Sequence, residues 1–596
     1  MSDPTQSQAA SRRLFMKTAA VGALGLAAGA CKPADESDSS TLADAVGAGS
    51  EPAPDSAVTG ADISSAEKLF DVRYSDAERE QLLEGLDGWI NRMTRLRQVE
   101  KPNELAPAMV FDPRLPGQTY ADPTRGRAFG DFTPSSPIPE TDTDIAFASL
   151  TTQAHMLRAG LLTSRRLTEI YLDRIERLAP QLECFVTVTA DIARAQADEA
   201  DAELARGEDR GLLHGLPYGM KDIIDVANVP ATWGATPYRD RIAQTDASAT
   251  RHLRDAGAVL LGKTTNGALA YGDRWFDGIT RNPWNTQEGS SGSSAGSASA
   301  TSAGLVSFAI GTETLGSIVS PSNRCGTTGL RPTFGRVSRT GAMALCWSLD
   351  KIGPICRHVD DTGWVLNALL GSDSGDPSSL DHGLDDGRSV ELNTLRVGYR
   401  PEWFESGSDA DRATLEAARA AGVELVEIEL PDLPYDALIT NLEAEAAAAF
   451  EHLTLSNEDD TLVWQDPAAW PNTFRRARFI SAVDMINADR MRRQVMQVMH
   501  DVFSDVDLII GPNFANALLV ITNFTGHPQL AIKSGFNELP TRSIFGDAVG
   551  ETEQTHRVPQ TTSLWAPLFE EGRLLALGRD IERRLNVTGE RPPGFA

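Results

Sequence analysis

The chain has 596 residues, 41% hydrophobic and 23% charged, so it is long enough to bury a large core and has the composition of a globular protein. Its 55 basic and 83 acidic side chains give a net charge of −28, which disfavours binding to the phosphate backbone of nucleic acid. Five cysteines without a C-x-x-C pair exclude a disulfide scaffold, and no Cys/His cluster has zinc-site spacing.

The first 30 residues resemble a secretory signal. Arg12 and Arg13 precede an uncharged run of small and apolar residues, Thr18 to Ala30. The paired arginines are typical of the twin-arginine type, and the apolar run is too short to span a bilayer alone. We therefore expect residues 1–30 to be a twin-arginine signal peptide that exports the protein to the periplasm or cell envelope.

Cys31 and the segment after it leave two alternatives for the mature N-terminus. Ala28-Gly29-Ala30-Cys31 resembles a loose lipoprotein box, which would make Cys31 a lipid attachment site and a membrane tether. The same small residues fit an ordinary signal peptidase equally well. Residues 31–64 contain no aromatic residue and are rich in Asp, Ser, Ala, Gly and Pro, so we expect a disordered tether there.

Residues 65–140 are predicted to form an N-terminal helix followed by an extended arm. Ser75-Asp76-Ala77-Glu78 is a capping-box pattern, and apolar residues then recur at helical spacing from Leu82 to Leu96. From Pro102 to Pro139 the chain is polar and rich in proline, which is typical of an extended arm.

From residue 141 to the C-terminus, helical patterns and short apolar runs alternate. The helical patterns fall at 167–178, 246–257, 409–420, 435–453 and 483–502, and the strand-like runs at 258–261, 395–399, 423–430 and 507–511. Such alternation predicts an α/β body around a mixed β-sheet.

Two segments of this body carry candidate chemistry. Lys221 follows the apolar run Leu216-Pro217-Tyr218-Gly219-Met220, and burial there would lower its pKa until the amine accepts a proton. On this segment alone, a surface lysine paired with Asp222 is the simpler interpretation. The second segment, 288–325, is dense in Gly and Ser, above all at 289–297. It lies between apolar elements, which is unusual for a linker, and glycines allow backbone N–H groups to converge on an oxyanion.

Taken together, these segments resemble the amidase signature family. Residues 291–297 are similar to the family's Gly-Gly-Ser-Ser-Gly-Gly-Ser track, and residues 311–317 to its Gly-Thr-Asp-x-Gly-Gly-Ser. Gly219-Met220-Lys221-Asp222 is similar to the segment that holds the family lysine. The likeness is strong over 144–365 and weak in the C-terminal third. It implies an amidase-signature fold for residues 141–596, with a central mixed sheet covered by helices on both faces.

The resemblance also implies roles for individual residues. Ser317 would be the nucleophile that attacks an amide carbon. Ser293, whose peptide bond is cis in the family, would relay the proton, and neutral Lys221 would be the final base. The result would be an amide C–N hydrolase that works through an acyl-enzyme and needs no metal or organic cofactor. Its expected partner is a small-molecule amide.

The expected oxyanion hole consists of the backbone N–H groups of Thr314, Leu315, Gly316 and Ser317. Leu315 replaces a family glycine, which would strain the loop if the residue needed a positive φ. Val319 stands where many members have an Arg that grips a substrate carboxylate, so the sequence favours a neutral or apolar acyl group.

Rival interpretations are weaker. Gly257 to Thr264 has the spelling of a phosphate-binding loop, but its four central residues are an apolar strand. Ser294 lies in a Gly-x-Ser-x-Gly spelling whose preceding segment is polar and contains a proline, unlike a nucleophile elbow. A glutamine amidotransferase A-type subunit shares the implied core, and a non-catalytic binding protein on the same scaffold is a third alternative. The export signal and the acidic charge oppose the amidotransferase, and the joint presence of Lys221, Ser293 and Ser317 opposes the binding protein.

Overall fold

The computed structural model describes residues 58–122, 137–550 and 553–596. The predicted signal peptide, Cys31 and most of the predicted tether lie outside these ranges. The contacts within the chain define two compact units, Met1–Val99 and Glu100–Ala596. No helix in the described ranges combines the length and apolar character that crossing a bilayer requires.

The described part of the smaller unit is a helical hairpin. Helix Asp76–Gln98 begins at Ser75, whose side chain accepts the N–H of Glu78 while Glu78 reaches back, so the predicted capping box is present. A second helix, Gly60–Phe70, begins inside the range predicted as a tether. Thr59 and Asp62 form its capping box, so the prediction of a tether is wrong for residues 60–64, which are helical.

The larger unit begins at Glu100 and so includes the described part of the arm, residues 100–122. The helices of this unit are Asp142–Phe147, Leu150–Arg158, Ser164–Leu178, Ala190–Ala205, Ser248–Asp255, Ala295–Ser302, Val319–Cys325, Val359–Leu369, Pro401–Glu405, Asp409–Ala420, Ile439–Ala449, Glu451–Ser456, Trp470–Ala477, Ala482–Asp505, Leu518–Thr525 and Glu571–Leu585.

The strands, in chain order, are β1 Phe185–Val188, β2 Pro217–Lys221, β3 Val259–Thr264, β4 Arg274–Trp275, β5 Gly278–Ile279, β6 Arg281–Asn282, β7 Asn285–Gly289, β8 Phe308–Glu313, β9 Thr328–Arg331, β10 Lys351–Cys356, β11 Arg396–Tyr399, β12 Glu424–Glu427, β13 Leu508–Pro512, β14 Gln529–Pro540 and β15 Thr555–Trp565. Eleven of them form one sheet in the order β1-β3-β2-β8-β10-β9-β14-β15-β13-β11-β12.

The sheet mixes parallel and antiparallel pairs, which confirms the predicted α/β class. β2 runs parallel to β3 and β8, and β11 runs parallel to β12 and β13, while β10 is antiparallel to both β8 and β9. The central strands are fully buried, as their apolar sequences require when helices flank the sheet.

The parallel pair β2 and β8 positions the candidate site. Parallel strands present their carboxyl ends at the same edge of a sheet, and chemistry in α/β proteins concentrates there. Lys221 is the last residue of β2, and β8 ends at Glu313, a few residues before Ser317. The two segments that sequence analysis singled out therefore meet at one edge.

Candidate active site

Lys221 lies at the centre of a buried cluster of hydroxyl groups. Its Nζ is 2.8 Å from Ser293 Oγ, 2.8 Å from Thr312 Oγ1 and 3.1 Å from Ser294 Oγ. The side chain is fully buried. Three hydroxyls solvate an amine well, but none carries a charge that would hold it as an ammonium.

Burial is the main reason why the pKa of Lys221 lies well below its usual value; Asp350 and Glu313 raise it only in part. A lowered pKa favours the neutral amine, whose lone pair can accept a proton. The alternative pairing with Asp222 is wrong. Asp222 accepts hydrogen bonds from the backbone N–H of Thr232, at 2.9 Å, and from its hydroxyl, and lies 3.4 Å from the ammonium of Lys263.

The Ser293 loop is fixed from both sides. The peptide bond between Gly292 and Ser293 is cis. A Cβ at position 292 would lie 1.9 Å from the carbonyl oxygen of Gly272, so only glycine fits there. The N–H of Ser294 donates to the carbonyl of Ser317 at 3.1 Å, which ties this loop directly to the loop that follows β8.

Glu313 braces the loop that carries Ser317. It is fully buried; its Oε2 accepts the N–H groups of Ile318 and Val319 at 2.9 and 3.1 Å, and its Oε1 accepts Nη1 of Arg331 at 2.9 Å. Burial raises the pKa of this carboxyl, but Arg331, Lys351 and Asn523 together lower it further than burial raises it, which favours the ionised form of Glu313. Replacement of the family's Asp by Glu thus keeps an anion under the loop.

The backbone N–H groups in the loop between β8 and Ile318 have no hydrogen-bond acceptor among the described residues. Among the described residues, the backbone N–H groups of Thr314, Leu315, Gly316 and Ser317 donate no hydrogen bond, whereas their neighbours on both sides do. Gly316 has φ +91°, a conformation that favours glycine, but Leu315 does not have a positive φ. Leu315 therefore replaces the family glycine without strain.

Ser317 lies within this row of free donors. Its side chain keeps 8% of its surface exposed, and its hydroxyl has no hydrogen bond to any residue that the structure describes. Catalytic hydrogen bonds are often long in enzymes without substrate and tighten when it binds. Lys221, Ser293 and the four N–H groups are thus gathered at one edge of the sheet with Ser317.

A cavity of about 510 Å³ opens beside these residues. It reaches Thr312, which binds Lys221, and Thr314, the first of the free donors, although Ser293 and Ser317 are not part of its lining. One wall is apolar and consists of Ile223, Trp233, Ala270, Met343, Leu345 and Trp347. A volume of this size accommodates a substituent much larger than the amide group itself.

Three residues support the site in roles that were not predicted from the sequence. Ser294 and Thr312 complete the hydroxyl shell of Lys221. Asp350 accepts the hydroxyl of Thr314 at 2.6 Å and lies beneath the free donors. All three fall inside segments that resemble the family, but their composition gives no sign of which side chains turn inward.

Several sequence features prove structural. The segment with phosphate-loop spelling forms the buried strand β3, as expected. His214 is buried, with Nε2 3.0 Å from a carboxylate oxygen of Glu203, and takes no part in the hydroxyl cluster. The segment before Ser294, expected to lack a strand, forms β7, which pairs with β6 outside the main sheet. The described residues contain no group of three or more His, Cys, Asp or Glu side chains placed to hold a metal.

The chain is similar to one protein family and to several solved structures. The model of the Amidase family matches residues 166–535. The A subunit of the glutamyl-tRNA(Gln) amidotransferase of Halorhodospira halophila is 32% identical over 496 residues, which cover 74% of this chain and 97% of the relative.

Solved structures with the same fold include the native peptide amidase of Stenotrophomonas maltophilia, at 27% identity and a TM-score of 0.63, covering 77% of this chain and 100% of that one. A bacterial aryl acylamidase of the amidase signature family superposes with a TM-score of 0.64, covering 75% of this chain and 100% of that one; at 21% identity this likeness concerns the fold alone. The family model spans more than half of the chain, and on this ground the chain belongs to the amidase family, whose members act on amide C–N bonds.

Proposed function

We propose that this chain hydrolyses carboxamide C–N bonds through an acyl-enzyme on Ser317. The observation that carries the proposal is the buried, neutral Lys221 with its amine on the Ser293 hydroxyl, beside a row of four free backbone donors. A neutral amine, a relay hydroxyl and a serine hydroxyl with no other hydrogen bond are the parts that base-activated acyl transfer requires.

The proposed reaction has two halves. Ser317 Oγ adds to the amide carbon while its proton passes through Ser293 to Lys221, and the resulting oxyanion accepts the N–H groups of residues 314–317. Lys221 then returns the proton through Ser293 to the amide nitrogen, the C–N bond breaks, and ammonia or an amine leaves. Water attacks the ester by the same route and releases the carboxylic acid.

The substrate is proposed to be a neutral amide with an apolar substituent. Val319 is fully buried at the position where an arginine would bind a substrate carboxylate. The apolar wall of the cavity offers contacts to a hydrocarbon or an aromatic ring.

A second candidate function is the release of ammonia from glutamine as the A-type subunit of an amidotransferase. The curated relative named above supports this function by its identity and by the near-complete coverage of its length, and more strongly than the solved amidases support the first function. The net charge of −28 opposes a complex that handles tRNA.

An activity screen separates the two functions. Purified protein is assayed for ammonia or amine release from glutamine, from small aliphatic amides and from amides with aromatic or long apolar substituents, with the Ser317→Ala variant as the blank. We expect Ser317-dependent turnover of the apolar amides with at least about tenfold higher kcat/KM than of glutamine. A preference for glutamine would favour the amidotransferase, and no Ser317-dependent turnover would reject both functions.

We further propose that the protein is exported by the twin-arginine route and acts in the periplasm or cell envelope on a small-molecule amide, without nucleic acid as a partner. A change of Arg12 and Arg13 to Lys keeps the charge but removes the guanidinium pair, so it is expected to retain the protein in the cytoplasm, as measured by fractionation. An unchanged periplasmic fraction would contradict this route. Metabolic labelling with a fatty acid, compared between wild type and Cys31→Ala, tests the proposed lipid tether.

A further inference from the structure

The arm of residues 100–122 reaches the cavity beside the candidate active site. Asn103, Glu104 and Ala106 contribute to the lining of the cavity, together with the apolar wall described above. These residues precede the segment 166–535 that the Amidase family model matches.

Asn103 forms hydrogen bonds with the backbone of one wall of the cavity, at Ala344. Its Nδ2 donates to the carbonyl of Ala344 at 2.8 Å, and its Oδ1 accepts the N–H of the same residue at 2.7 Å. Its own carbonyl accepts Nε1 of Trp347 at 3.2 Å. The side chain of Asn103 thereby satisfies both backbone polar groups of Ala344, and its backbone carbonyl orients the indole of Trp347, three residues further along.

Asp350, which lies next to the candidate catalytic residues, holds the same segment from its other side. Asp350 accepts the N–H groups of Leu345 and Cys346 at 2.8 and 3.0 Å and the hydroxyl of Thr314 at 2.6 Å. Residues 344–347 are therefore clamped between Asn103 of the arm and Asp350, which also binds the side-chain hydroxyl of Thr314.

The arm itself is anchored further along. The guanidinium of Arg492 lies 3.4 Å from the ring centroid of Phe111 and donates to the carbonyl of Ser348 at 2.7 Å. The ring of Phe111 also packs edge-on against Phe334, with centroids 5.0 Å apart. These contacts set the arm in place on both sides of the 344–347 segment, so its position beside the cavity is defined by specific interactions.

We propose that the arm is a wall of the substrate site, that Asn103 is a positioning residue for residues 344–347, and that the arm selects amides by the size of their apolar substituent. The inference rests on the proposed hydrolase function. A small amide reaches the nucleophile without contact with the arm, whereas a bulky one must enter the cavity that Asn103 and Ala106 border.

Two variants test the arm from opposite directions. Asn103→Ala removes the clamp and is expected to raise KM for a bulky amide about tenfold, while kcat changes by less than about twofold, because the loss concerns binding. Ala106→Trp places an indole at the cavity and is expected to lower kcat/KM for bulky amides by at least about tenfold. For propionamide, both variants are expected to lower kcat/KM by less than about twofold, because this substrate is too small to reach the arm.

The substrates are propionamide, 1-naphthylacetamide for a bulky acyl side, and N-(1-naphthylmethyl)propionamide for a bulky amine side. Matched controls are Asn487→Ala and Ala482→Trp, which make the same replacements at exposed positions of helix Ala482–Asp505. Thermal unfolding shows whether each variant is folded. An equal loss on small and bulky amides, or no change on either, would overturn the role of the arm, whereas wild-type protein without Ser317-dependent hydrolysis of any amide would instead reject the proposed function.

Discussion

Replacement of Ser317 by alanine is expected to lower kcat for amide hydrolysis by at least about 10⁴-fold, because the other hydroxyl among residues 314–317, that of Thr314, is already bound to Asp350. The fold should not change, since the Ser317 hydroxyl makes no hydrogen bond among the described residues. The measurement is ammonia release from the best amide of the screen, together with thermal unfolding.

A serine outside the site provides the control. Ser504 lies on helix Ala482–Asp505, where its hydroxyl donates to the carbonyl of His500, and Ser504→Ala should keep full activity. Turnover by Ser317→Ala close to wild type would remove Ser317 from the mechanism and favour Ser294 or a contaminating hydrolase. Inactive wild-type protein would instead favour a non-catalytic binding protein on this scaffold.

The elements of the fold were predictable wherever burial and local pattern agree. The helix from Asp76 and the strands β3, β11 and β13 follow directly from a capping box and from short apolar runs. The order of the eleven strands was not predictable, because it depends on pairings between residues far apart in sequence, such as β9 with β14. The helix from Gly60 was missed because a low content of apolar residues outweighed its capping signal.

The residues proposed to take part in the reaction were predictable from the sequence, but the residues that support them were not. Lys221, Ser293 and the donors at 314–317 were named from short segments, and the structure gathers these segments at one sheet edge. The brace by Glu313 and the link from Asp350 to Thr314 depend on which face of a strand turns inward, which a run of buried strand residues does not disclose. The contact of the arm with the cavity could not be predicted from the sequence, because Asn103 binds the backbone of a residue 241 positions away.

The supporting residues Asp350 and Glu313 affect the pKa of Lys221, and this pKa determines how activity depends on pH. With the amine buried, activity requires its neutral form, so kcat/KM should fall as the pH drops through the lowered pKa of Lys221. Asp350 and Glu313 face the amine and raise this pKa in part, which keeps it from falling further. A kcat/KM profile that stays flat down to about pH 5 would contradict a neutral Lys221 as the base.

Replacement of Lys221 by methionine is expected to lower amide hydrolysis about 1,000-fold and to abolish this acid limb, because methionine keeps the length of the side chain but accepts no proton. Lys533 provides a matched control. It is also buried, and burial lowers its pKa to about 7, but its ammonium contacts the carbonyl of Glu590 at 2.9 Å. Lys533→Met should therefore retain hydrolysis. If it lost activity as Lys221→Met does, the effect would be structural.

The same substitution changes how the free energy of unfolding depends on pH. Below about pH 10.4 the unfolded chain protonates Lys221, whereas the native protein keeps the amine neutral down to its lowered pKa. In that window the unfolded state binds one more proton, so the stability of wild type should rise by about 1.4 kcal/mol per pH unit more than that of Lys221→Met. Below the lowered pKa both states are protonated, and the two curves should run parallel. Denaturant titrations between pH 6 and about pH 9 measure the difference in slope, and parallel curves across that whole range would mean that Lys221 is charged in the native protein and cannot serve as the base.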